Sequence, residues 1–131
     1  MASYAIDGHR VSKPWHIVLT HARRMGVDFS VNDGRRTLAV QWARVRKHGL
    51  WSPANPTGAA RPTLGAPHIN WGRCNHAIDA NAAVDIATFL HRKGCKSVTR
   101  PIVAEPWHLQ IGHRDLLRLA RRIERERKAN R

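Results

Sequence analysis

Apolar residues recur along the chain with two periods, and the changes between them mark out its elements. From Pro14 to Met25 the apolar Trp15, Ile17, Val18, Leu19 and Ala22 are mixed with His and Arg, and Gly26 follows as a stop, which predicts a first helix. A second helix is expected from a Thr37 N-cap to Lys47, carrying Leu38, Val40, Ala43 and Val45 and closed by Gly49. Asn81 is suited to cap a third, running to Lys93 before Gly94. The fourth, Arg114 to Lys128, collects Leu116, Leu117, Leu119, Ala120 and Ile123 into one stripe. Extended segments are expected over Val27–Val31, Ala77–Ala80, Val98–Val103 and Trp107–Ile111, with Asn32-Asp33-Gly34 as a turn presenting Arg35 and Arg36. Pro53, Pro56, Pro62 and Pro67, with Gly58 and Gly65, predict a long irregular surface loop. The order of elements predicts an α+β domain in which a small antiparallel sheet is flanked by helices.

The 131 residues suit one domain, 1–131, whose residues 114–131 form a basic C-terminal helix. Lys and Arg number 23 against 9 Asp and Glu, a formal net charge of +14, so polyanionic surroundings are favoured: nucleic acid, an anionic membrane or an acidic wall polymer. Met1 to Arg10 holds no long apolar run, and no stretch of about 18 apolar residues occurs anywhere, so neither a secretion signal nor a membrane span is expected. Cys74 and Cys95 are too few for a disulfide framework and lack zinc-finger spacing; both are read as reduced thiols, with a single disulfide between them as the alternative.

The chemistry concentrates in three segments: Ala66-Pro67-His68, His76-Ala77-Ile78-Asp79 and Glu105-Pro106-Trp107-His108. A catalytic zinc commonly takes three N or O ligands and keeps one position open. His68, Asp79 and His108 can fill those three. Pro106 biases Glu105 towards extended backbone, and the alternation that follows puts His108 and Gln110 on one face with Trp107, Leu109 and Ile111 on the other. Trp107 is therefore expected in the core. Glu105, on the bend just upstream of His108, is the candidate general base.

These segments, in this order, resemble the zinc D-Ala-D-Ala carboxypeptidase and L-alanyl-D-glutamate peptidase family, VanY-type enzymes and phage endolysins among them. The resemblance covers roughly residues 13 to 112. It rests on Gly34-Arg35-Arg36-Thr37 for the family's Arg-Ser/Thr after a Gly-containing turn, Ala66-Pro67-His68, Ala77-Ile78-Asp79, and Glu105-Pro106-Trp107-His108. It implies a fold shared with the hedgehog signalling domain, a zinc ion held by His68, Asp79 and His108, catalysis by Glu105, and Arg36 on the substrate's carboxylate or peptide oxygen, with Arg35 in reserve. The implied activity is hydrolysis of peptidoglycan stem peptides, as an endolysin-like L-alanyl-D-glutamate endopeptidase or as a D-Ala-D-Ala carboxypeptidase. A monomer is expected, made in the host cytoplasm and acting on the wall after release, with the basic last helix on anionic wall or membrane surfaces.

One position departs from the family's pattern. Its first His stands seven residues before the Asp, and here that residue is Gly72. His68 keeps the Pro-His context but lies eleven residues before Asp79, whereas His76 is closer. On a regular strand residues three apart face opposite sides, so His76 and Asp79 converge only across a bulge. His68 is preferred as first ligand, with His76 the alternative. His9, His16, His21, His48, His91 and His113 are assigned no function. A reading of another class is a basic nucleic-acid-binding module, which no recognised motif supports, so no specific nucleic acid is expected.

Overall fold

The computed structural model describes residues 4–34, 38–59, 76–98 and 107–130, without the side chains of 38–41. The chain opens on a hairpin, β1 (Tyr4–Ile6) with β2 (His9–Val11), paired Tyr4 to Val11 and Ile6 to His9. Asp7 and Gly8 both take positive φ, 54° and 79°, the type I′ turn whose twist matches the strands it joins. An Asp-Gly pair beside alternating residues is the local mark of such a hairpin, which the reading of the sequence did not anticipate. Asp7 then ties the hairpin down: its carboxylate accepts from Arg23 at 2.5 Å and from the Val31 amide at 2.8 Å. These two bonds hold it below the usual carboxylate range.

Helix α1 (Lys13–Arg24) starts where Ser12 caps it, Oγ accepting from the Trp15 amide, with Pro14 in the first turn. Its Trp15, Val18, Leu19 and Ala22 are buried at helical spacing. Helix α2 (Leu38–His48) ends at Gly49, whose amide bonds to the Val45 carbonyl. The following segment is less open than its prolines suggest. Asn55 donates to the carbonyls of His48 and Leu50, the Trp51 amide donates to the Ala59 carbonyl, and the Ala59 amide donates to the Gly49 carbonyl, which folds Ser52–Gly58 back on itself. The rest of the expected loop, and the Thr37 cap, lie outside the described residues.

A three-stranded antiparallel sheet in the order β3-β4-β5 is formed by Val31–Asp33, His76–Ala80 and His108–Ile111. Asn32 and Asp33 are thus strand, where turn chemistry was expected. The cause is tertiary: Val31 pairs with Ala80 and Asp33 with Asp79, so β3 bulges by one residue. At its end Gly34 passes so close to the Arg10 carbonyl that any Cβ there would collide with the β2 backbone. Of the expected strand Val98–Val103, only Val98 is described, and it is buried.

Helix α3 (Ala83–Arg92) is not capped by Asn81. Asn81 still belongs to the sheet edge, its amide donating to the Ser30 carbonyl and its Oδ1 accepting the Ser30 amide, so Ala82 begins the helix at φ 50° with no side-chain cap. Helix α4 (His113–Ala129) buries Leu116, Leu119, Ala120 and Ile123. One core joins these side chains to those of α1, to Ile86 and Leu90 of α3, and to Ile78, Leu109 and Ile111 of the sheet. The architecture is α+β, as expected. Among the described residues no helix is long and apolar enough to cross a membrane.

Candidate metal centre

The ladder between β4 and β5 is regular: His76 pairs with Ile111, Ala77 with Gln110, Ile78 with Leu109 and Asp79 with His108. Alternation therefore gives the sheet two chemically distinct faces. His76, Ile78, Leu109 and Ile111 share the face that enters the core, and Ala77, Asp79, His108 and Gln110 share the other. The bulge in β3 puts Asp33 opposite Asp79, so Asp33, Asp79 and His108 form a row across all three strands. The sequence had offered Asp33 only as a turn residue. Arg44 of α2 holds it at 2.8 Å, and the Gly34 amide donates to its other oxygen.

Asp79 is 9% exposed, and its Oδ1 lies 3.3 Å from His108 Nδ1. The second ring nitrogen, Nε2, stands 2.9 Å from Gln110 Oε1. An amide oxygen only accepts, so Gln110 selects a proton on Nε2, and the neutral ring then turns Nδ1 towards the carboxylate. In this form two acceptor atoms converge, an arrangement completed by a proton or a cation. Zinc bonds to His nitrogen and carboxylate oxygen run about 2.0–2.2 Å, so tetrahedral geometry places two such donors roughly 3.3–3.5 Å apart. The observed separation fits. A metal-ligating His characteristically spends its other N–H on a carbonyl or carboxylate, as His108 does on Gln110. Among the described residues no three His, Cys, Asp or Glu groups converge on one point. His68, Glu105, Arg35 and Arg36 lie outside the described residues.

His76 sits on the opposite face, 1% exposed. No bulge interrupts His76–Asp79, so the two side chains leave the strand on different sides. Its Nδ1 lies 3.1 Å from Ser12 Oγ, and its Nε2 lies 2.9 Å from His113 Nδ1 with the two rings stacked. Ser12 Oγ, which accepts the Trp15 amide, and His113 thus engage the two ring nitrogens of His76 in one buried chain. His113, read from sequence as a surface or helix residue, is the first residue of helix α4 and is half-buried there. No local pattern pairs residues 12, 76 and 113.

Trp107 corrects a second expectation. It is 46% exposed rather than core, because the strand begins only at His108; the Trp107 carbonyl accepts the Ala80 amide while its ring stays outside the ladder. Cys95 is a buried free thiol, in keeping with the reduced reading; Cys74 lies outside the described residues.

No protein-family model matches the chain, and no curated protein matches it by sequence. Among solved structures, a mutant of the vancomycin-resistance D,D-pentapeptidase VanY from a VanB-type resistance cassette, in complex with Zn(II), aligns with 92% of this chain and 84% of its own, at 19% identity and a TM-score of 0.48.

Proposed function

We propose that the protein is a zinc peptidase acting on the peptide stems of peptidoglycan. The observation that carries this reading is the Asp79–His108 pair, facing across β4 and β5 at zinc-ligand spacing, with His108 oriented from behind by Gln110. The same two residues anchor the motifs that resemble the D-Ala-D-Ala carboxypeptidase and L-alanyl-D-glutamate peptidase family.

Asp79 and His108 hold the metal, and His68 is its third ligand. The placement of His76 on the core face, engaged by Ser12 and His113, supports His68 over His76. Zinc, when bound, polarises the scissile carbonyl and lowers the pKa of water. Glu105 accepts the attacking water's proton and delivers it to the departing amine. Arg36 presents its planar guanidinium to the stem's carboxylate. The lysin-like wording of Gly72-Arg73-Cys74-Asn75-His76-Ala77-Ile78-Asp79 favours endopeptidase cleavage between L-Ala and D-Glu, with D-Ala-D-Ala carboxypeptidase as the second reading.

Digestion of purified peptidoglycan, with the new ends identified by mass spectrometry, tests the reading. New N-terminal D-Glu is expected; release of free D-Ala selects the carboxypeptidase. Glu105→Ala should keep the fold and bound zinc but lose roughly 10²–10⁴-fold in turnover. No stoichiometric zinc in metal-replete protein, or no released ends, would overturn it.

A further inference from the structure

Away from the sheet, the turn after α3 and the exposed side of α4 enclose a cleft of about 170 Å³. Lys93, Arg118, Arg122 and Arg125 line it, with Asp115 as the single carboxylate among the described residues. The three arginines stand at i, i+4 and i+7, one stripe of the helix, where like charges repel one another. Asp115 offsets only one of these charges: it accepts both the amide and the hydroxyl of Ser97, bonds that, with the nearby Arg118, hold it ionised below the ordinary carboxylate range. Arg122 has only a loose 3.9 Å pair with Glu126, and among the described residues no carboxylate lies within ion-pair distance of Lys93, Arg118 or Arg125. Buried Cys95 also lines the cleft, its thiol pushed up by burial and Asp115 against the opposing Arg122 and Arg118.

A concave site holding four cations against one carboxylate keeps a net positive charge and is built for an anion. Its volume falls below the roughly 300–1,000 Å³ typical of pockets for drug-sized ligands, so a small group fits and a whole nucleotide does not. Planar guanidinium forks favour phosphate oxygens. Among the described residues no aromatic side chain lines the cleft, whereas single-stranded nucleic acid is gripped by stacking platforms. Nor does a large apolar side chain protrude there for membrane insertion, Leu119 being buried.

We propose that this cleft, formed by Lys93, Arg118, Arg122 and Arg125, is a binding site for the phosphodiester groups of a base-free polyol-phosphate polymer. The choice of a wall polymer as the source rests on the peptidase reading above; the phosphate chemistry does not. Among the described residues none from the three-stranded sheet lines the site, so it can hold a polymer strand without touching the sheet.

Isothermal titration of the full chain with glycerol-phosphate oligomers across a salt series tests this. The double variant Arg118→Gln/Arg122→Gln is compared with Arg121→Gln/Arg127→Gln, which removes the same charge outside the cleft. Loss of two charge-assisted contacts should weaken binding by about tenfold or more in the first variant, against no more than about threefold in the second. Amide resonances of Gly94 and Cys95 should also shift on adding inorganic phosphate. Equal weakening by both variants, no binding by the parent, or tighter arginine-dependent binding of duplex DNA or phosphatidylglycerol vesicles would each overturn the proposal. Hydrolysis of a small soluble stem peptide is followed alongside: its absence with polymer binding intact counts against the peptidase reading alone, and its persistence without polymer binding counts against the cleft alone.

Discussion

Gln110 offers a sharp test of the metal centre because it would never touch the metal. Its Oε1 stands 2.9 Å from His108 Nε2 and so decides which nitrogen of His108 is left to face Asp79. Without that acceptor the proton can move to Nδ1, where it competes directly with a cation. Loss of such an orienting partner costs roughly 10–100-fold in metal affinity. At about 1.4 kcal/mol per tenfold, this is about 1.4–2.7 kcal/mol, more than the roughly 0.5–1.5 kcal/mol net worth of an ordinary hydrogen bond. The excess arises because a ring donating its electron pair to a cation makes a more acidic N–H. Gln110→Ala should therefore weaken zinc binding by that factor, measured by competition with a chromogenic chelator, with little change in the urea midpoint. Gln110→Glu keeps an acceptor in place and should restore or tighten binding. Unchanged affinity in Gln110→Ala, in a protein whose His108→Ala variant has lost zinc, would refute the orientation argument.

Three further expectations follow from particular contacts. His68→Ala should release zinc from a folded protein, whereas His76→Ala should mainly destabilise the core; elemental analysis beside thermal melting separates them, and retention of zinc by His68→Ala would reverse the assignment. Ser12→Ala removes both the α1 cap and a partner of buried His76, losses of roughly 1 and 0.5–1.5 kcal/mol, so urea denaturation should show about 1.5–2.5 kcal/mol less stability; a change below about 0.5 kcal/mol would show that neither bond matters. Burial holds His21 below its usual range, helped by Lys93, Arg24 and Arg127 against the opposing Glu126. Its folded pKa is thus depressed, so the associated stability is complete above an unfolded value of about 6.5 and is lost as pH falls through the folded pKa. His21→Gln should accordingly shrink the fall in urea midpoint between pH 7.5 and pH 5, and an equal fall in both proteins would exclude the residue.

Local patterning was enough to place the helices and two of the strands. The spacing of Trp15, Val18, Leu19 and Ala22, and of Leu116, Leu119, Ala120 and Ile123, leaves each helix a single face that can be buried, so period alone predicts helix and orientation together. The same holds for β5, where two-residue alternation already put His108 and Gln110 on one side and Leu109 and Ile111 on the other. The motif order that suggested zinc chemistry was equally legible, since residue type and order along the chain carry it. What the chain by itself left undecided depends on contacts between distant segments. Whether His76 or Asp79 shares a face with His108 is a question of strand register, and register is fixed by pairing across 29 to 35 residues, Asp79 with His108 and His76 with Ile111. Asn32-Asp33-Gly34 has turn chemistry, yet the bulged pairing of Asp33 with Asp79 overrides it, and Asn81, a natural cap, is drawn into the sheet by Ser30. The Ser12–His76–His113 chain and the cleft between Lys93 and α4 likewise exist only once the fold closes, because a buried hydrogen bond or a cluster of like charges depends on distance in space, which one-dimensional spacing does not encode.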